Sequence, residues 1–181
     1  MIRKLLLTLA GGFCGAVTRY LLAKPLLALA GALPGAHVGF PYDTLLINLT
    51  GAFVIGLLFG AFEHGAPLSP DLRLALGTGF LGAYTTFSSF VVGAASELQH
   101  GQALTALLYL CGAMAGGVAL AFAGFTLAGH LIERWWAASL DAQASALAGD
   151  DWVDGFAMGG TSAEKLELAD ERIAELEGGA R

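Results

Sequence analysis

Charged side chains are almost missing from the interior of this sequence. None lies between Asp43 and Glu63, and none from Ala103 to Ile132. A charge at the centre of a bilayer is strongly unfavourable, and a helix needs about 20 mostly apolar residues to cross the hydrocarbon. Four stretches meet that length: about Leu5 to Leu33, Thr44 to Phe62, Leu72 to Val92 and Ala103 to Ile132. Turn-forming residues divide them: Leu33-Pro34-Gly35, Phe40-Pro41-Tyr42-Asp43, His64-Gly65-Ala66-Pro67 with Ser69-Pro70-Asp71, and His100-Gly101. The pattern predicts an all-α integral membrane protein with four transmembrane helices. A secretory signal peptide is the competing reading of the first stretch, but Arg19 interrupts it and no clear small-residue cleavage site ends it.

Composition agrees. Hydrophobic residues make up 56% of the 181 residues and charged residues 13%, against about 25% charged in a soluble domain. The charge is also unevenly placed. Residues 1–134 carry six Lys/Arg against five Asp/Glu, whereas 135–181 carry three against ten. The chain therefore divides into a nearly neutral transmembrane body, 1–134, and an acidic tail, 135–181. The tail is expected to be largely disordered, apart from a short helix over 162–177. There Thr161 and Glu164 form a capping box, but so short a helix is marginal in water. No basic patch points to nucleic acid. Cys14 and Cys111 sit in apolar runs and form neither a CxxC site nor a disulfide framework.

With four spans, both termini and the middle loop share one side. That side holds Arg3, Lys4, Arg73 and Arg134; the other holds Lys24 alone. The positive-inside rule places the termini in the cytoplasm, but so thin a bias also permits insertion in both orientations. Glycines four apart (Gly11 and Gly15, Gly56 and Gly60, Gly112 and Gly116) predict close helix–helix approach.

Catalytic chemistry finds few candidates. No pair of carboxylates lies within a span, the four histidines fall in loops or near span ends, and Ser88 and Ser89 have no visible base. The protein is read as not an enzyme. Three polar features remain inside the spans. Arg19 lies in the first span, where an arginine faces a bundle interior or a water-filled cavity. Thr44 and Asn48 lie four apart, so their O–H and N–H donors share a helix face. The run Gly79-Phe80-Leu81-Gly82-Ala83-Tyr84-Thr85-Thr86-Phe87-Ser88-Ser89-Phe90 has the chemistry of a helix broken mid-span. Unwound backbone is tolerated at membrane depth only where it is buried in protein or lines a cavity, and its freed carbonyls can hold a cation. Phe87 and Phe90 share a face there, and aromatic ring edges carry partial positive charge.

These residues resemble a known family. Gly11-Gly12-Phe13-Cys14-Gly15-Ala16-Val17-Thr18-Arg19-Tyr20, Thr44-Leu45-Leu46-Ile47-Asn48-Leu49-Thr50-Gly51 and the Gly79–Phe90 run look like the three successive span motifs of the Fluc (CrcB) fluoride channels. The resemblance covers about residues 2–134. It implies an antiparallel, dual-topology homodimer in the bacterial cytoplasmic (inner) membrane, with two fluoride pores that export fluoride passively and protect the cell from its toxicity. It also implies a structural sodium ion at the dimer centre, held by backbone carbonyls at Gly82 and Thr85. The pore positions that match are Phe87, Phe90 and Asn48, with Thr44 one turn away, and Thr86 and Ser88 beside them. Arg19 matches a vestibule arginine and Tyr109 a fourth-helix tyrosine. Two departures stand out: Gly93 occupies the place of a family glutamate, whose role is lost or moved to Glu97, and Ala113 replaces a serine.

A dual-topology drug exporter is the main rival reading. It needs a carboxylate inside the membrane, and the first three spans as drawn contain none: Asp43, Glu63 and Asp71 sit at their ends. A structural membrane subunit without transport is the second rival, and the pattern of donors and phenylalanines argues against it.

Overall fold

The computed structural model describes residues 1–37 and 39–157, and all of its regular elements are helical. Helix α1 runs Ile2–Gly31 and α2 runs Tyr42–Glu63. The third crossing, Pro70–Gln99, is composite. It begins with α3 (Pro70–Arg73), continues as a π-helix over Leu74–Leu81, and closes its first half with α4 (Gly82–Tyr84). Its second half is α5 (Phe87–Gln99). Helix α6 runs Ala103–Ala157. Four helical segments are long and apolar enough to cross a membrane: Ile2–Gly31, Tyr42–Glu63, Pro70–Gln99 and Ala103–Leu140.

Local chemistry explains the boundaries. Ser69 accepts a hydrogen bond from Leu72 N–H at 3.2 Å, and Pro70 follows at the first helical position, where its missing N–H is not needed. Helices α2 and α5 end alike. His64 Nδ1 lies 2.8 Å from the Gly60 carbonyl, and His100 Nδ1 lies 2.7 Å from the Ser96 carbonyl. A glycine with positive φ follows each, Gly65 at +80° and Gly101 at +74°, which is the usual way to turn a chain out of a helix. These two histidines therefore finish helices.

Close glycine contacts hold the bundle. A β-carbon on Gly15 would run into the Phe80 carbonyl, so α1 lies directly against the π-helical stretch. In the same way Gly56 and Gly60 of α2 face the Ala121 and Phe125 carbonyls of α6. Without a hydrophobic force between helices in lipid, such contacts supply the packing. Gly112, also read as a packing glycine, has no such neighbour among the described residues. At one end of the bundle Arg3 pairs with Asp71, and the Arg73 guanidinium lies 4.8 Å from the Phe59 ring centre.

Two boundaries differ from the sequence reading. The third crossing extends to Gln99, so Glu97 lies within it and is buried, where the sequence reading left the span without an acid. Residues 135–157 are helical where a largely disordered tail was expected. The short helix expected over 162–177 lies outside the described residues. By its contacts the chain divides into Met1–Glu133 and Arg134–Arg181.

Candidate functional site

The third crossing breaks at Thr85 and Thr86. Both are extended, with φ −77°, ψ 161° and φ −149°, ψ 123°. The break separates Thr86 from the helical ladder, and Asn48 of α2 takes up its backbone. Thr86 N–H donates to Asn48 Oδ1 at 2.9 Å, and Asn48 Nδ2 donates to the Thr86 carbonyl at 2.9 Å. Because one partner can only donate and the other can only accept, this pairing fixes the orientation of the amide. Inside a bilayer an unsatisfied peptide group costs several kcal/mol, so the clamp is what permits the break.

The clamp frees a carbonyl. In a continuous helix Thr86 N–H would serve the carbonyl of Gly82, four residues earlier; here it serves Asn48 instead. The turn before the break remains closed, with Thr85 N–H and Thr85 Oγ1 both donating to the Leu81 carbonyl, at 3.0 and 2.8 Å. After the break Thr86 caps α5, its Oγ1 accepting from Ser89 N–H at 3.2 Å and lying 3.2 Å from Ser88 Oγ.

Around the break lies a cavity of about 390 Å³, lined by Asn48, Gly82, Thr85, Thr86, Phe87 and Phe90 together with apolar neighbours that include Leu81 and Ala113. Six of the ten positions singled out in the sequence thus meet in one space. The others lie elsewhere. Thr44 and Ser88 line a separate cavity with Ser89, Gly93 and Ser96. Tyr109 lines a third, of about 560 Å³, which shares Ala113 with the first. Arg19 is part-exposed on α1 and lines none of these cavities.

The two phenylalanines are not equivalent. Phe90 is buried, while Phe87 is 75% exposed. Their ring centres lie 6.0 Å apart. Phe90 continues into a line of rings, 5.2 Å from Tyr109, which lies 5.3 Å edge-on from Phe40. The Asn48 amide is less free than its sequence context promised, because one of its two N–H donors is committed to Thr86.

Sequence reasoning missed a second brace. Thr50 Oγ1 and Tyr84 hydroxyl lie 2.9 Å apart, and Tyr84 is buried on the turn just before the break. The signal was present: Thr50 lies two residues past Asn48, and Tyr84 directly precedes the threonine pair. Also missed was the pairing of Glu97 with His37, at 3.4 Å between Oε2 and Nε2.

Four membrane-capable crossings, one of them broken where polar groups converge, define a multi-pass membrane protein of the channel or transporter kind. Comparison with known proteins narrows the class. The family described as "CrcB-like protein, Camphor Resistance (CrcB)" matches residues 6–125, and the chain belongs to that family. A protein of Chlorobaculum tepidum named fluoride-specific ion channel FluC is 41% identical over 128 residues, 71% of this chain and 96% of that protein. Proteins of the same name from Chlorobium phaeobacteroides and Pyrococcus furiosus are 42% identical over 124 residues and 40% over 127. They cover 68% and 70% of this chain, and 91% and 97% of their own lengths.

Proposed function

We propose that the chain is one subunit of a fluoride-selective channel, which lets fluoride leave the cell passively across the inner membrane and so limits its toxicity. The observation that carries this reading is the Asn48–Thr86 clamp, which sets a broken helix beside Phe87 and Phe90 in one cavity. The names of the relatives support it.

The chemistry fits a small, strongly hydrated anion. Burying such an ion without partners is prohibitive. The remaining Asn48 N–H and the positive edges of Phe87 and Phe90 offer replacements for lost water, while the Thr86 O–H donates to Ser89 Oγ at 3.2 Å. A narrow path with few donors also rejects larger halides, since selectivity follows from diameter, donors and electrostatic barriers. The resemblance would add Thr44, Ser88, Tyr109 and Arg19 to the route, although Thr44 and Ser88 line one separate cavity, Tyr109 lines another, and Arg19 lines none of them.

In this reading two copies pair antiparallel and form two pores. Sodium would sit between them on the Gly82 and Thr85 carbonyls of both subunits, and the carbonyl that Gly82 loses from its helical ladder suits such an ion. When bound, the ion supplies a fixed positive charge beside the pores.

The test is fluoride efflux from liposomes holding the purified protein, with chloride as control. Fluoride efflux well above that of empty liposomes, with little chloride efflux, is expected. Fluoride efflux equal to that of empty liposomes rejects the reading.

A further inference from the structure

At the end of the bundle where α2 stops, a cation faces a cavity that the anion chemistry above does not use. Arg73 lies in the first turn of the third crossing, Pro70–Gln99. Its guanidinium carbon is 4.8 Å from the Phe59 ring centre and 5.2 Å from that of Phe62. The two phenylalanines stand three apart on α2 and so share a face. Stacking on rings engages the flat faces of a guanidinium and leaves the five N–H donors at its edge for other partners. Among the described residues no carboxylate pairs with Arg73. Asp71, two residues earlier, is taken by Arg3, and Glu63, which follows Phe62, lies outside the cavity that Arg73 lines.

That cavity, of about 300 Å³, is bounded by Arg73 and Thr78 together with Ile55, Phe59 and Gly77. Ile55 and Gly77 also line the helix-break cavity that holds Asn48, Phe87 and Phe90. The two spaces therefore adjoin, at a glycine that has no side chain to fill the passage. Arg19, the arginine that the sequence singled out, lines neither of them.

We propose that Arg73 is the anion-recruiting residue of this route, gathering fluoride from solution at the mouth and passing it to the helix-break cavity. This role rests on the channel reading. A cleft lined by one sign of charge and walled by apolar groups concentrates counter-ions and speeds their entry by about 10- to 1,000-fold. Here the charge comes from Arg73 and the apolar walls from Ile55, Phe59 and Leu74. A guanidinium is more weakly hydrated than an ammonium, so it meets an anion at a smaller desolvation cost. Held against two rings, its charge stays at the mouth. Lipid phosphate could use the same donors, but the open junction with the helix-break cavity favours an ion that moves on.

Single-channel fluoride currents test the role, recorded in planar bilayers of neutral lipid at fluoride well below saturation. Raising the ionic strength from about 0.01 M to about 1 M with an impermeant salt shortens the Debye length from about 30 Å to about 3 Å. The current through the unaltered protein is expected to fall about fivefold as this steering is screened. Arg73→Gln should begin at the low value and respond little to salt. Arg73→Lys keeps the charge and should recover most of the current. At saturating fluoride the three should converge. Equal currents through Arg73→Gln and the unaltered protein at low ionic strength overturn the proposal. A loss in Arg73→Gln that persists at saturating fluoride also overturns it, by showing a merely structural brace. A loss seen only when the bilayer contains anionic phospholipid assigns these donors to a lipid phosphate and overturns it as well. Absence of fluoride current through the unaltered protein rejects the channel itself.

Discussion

Asn48 and Thr86 exchange two hydrogen bonds of 2.9 Å, joining the side chain of one helix to the backbone of a break in another. An asparagine is needed because the Thr86 peptide presents both a donor and an acceptor, and an amide answers both. Asn48→Ala leaves both unpaired, at about 1–3 kcal/mol each. Asn48→Asp keeps the acceptor, loses the donor, and adds a negative charge to the cavity. Both variants are expected to unfold at lower temperature. Fluoride flux through Asn48→Asp should fall by about tenfold or more, the equivalent of about 1.4 kcal/mol. Unchanged flux in Asn48→Asp would mean that the anion does not pass this amide.

The phenylalanine pair predicts a split between stability and transport. Phe90 is buried against Tyr109 and Ala94, so Phe90→Ala opens a core cavity and should cost about 3–5 kcal/mol. Phe87 is mostly exposed within the subunit, so Phe87→Ile should leave the unfolding of the subunit nearly unchanged while lowering fluoride flux strongly. Efflux and thermal unfolding measured on the same samples separate the two effects. Normal flux through Phe87→Ile removes that ring from the pathway.

How much of this was legible follows from which interactions are periodic. The four crossings were visible because lipid imposes the same demand on about 20 residues at a time. The broken helix was visible because Gly, Thr and Ser cluster from Gly79 to Ser89. The partner of Asn48 was not, because sequence places it on a helix face without saying what lies opposite. The same holds for Thr50 with Tyr84 and for His37 with Glu97, each joining distant stretches. The last helix runs on to Ala157, past Ile132 where the sequence reading ended the fourth span, because a helix can outlast its apolar stretch.

Gly56 should be among the least replaceable positions. Its missing side chain admits the Ala121 carbonyl of α6, and backbone cannot move aside as a flexible side chain would. Gly56→Ala is expected to force α2 and α6 apart and to reduce the yield of folded protein sharply. Gly112→Ala serves as the control within the same subunit, since nothing there occupies the space of its β-carbon among the described residues. Size-exclusion profiles in mild detergent report both. Equal yields from the two variants would contradict the close approach at Gly56.

Sodium dependence tests the freed carbonyl most directly. Thr86 N–H turns to Asn48, so Gly82 loses its helical donor, while Thr85 N–H stays with Leu81. A ligand that binds only the folded state stabilises it by about 2.7 kcal/mol at a hundred times its dissociation constant. Protein exchanged into a choline buffer should therefore unfold at a lower temperature, and titrated sodium should restore the midpoint. Because the proposed ion bridges two subunits, the loss should appear first as dissociation of the dimer, read by size-exclusion with light scattering. Asn48→Ala returns the Thr86 N–H to the competition for the Gly82 carbonyl, so its sodium response should be weaker. An unfolding midpoint and dimer fraction identical in choline and sodium would remove the ion from this site.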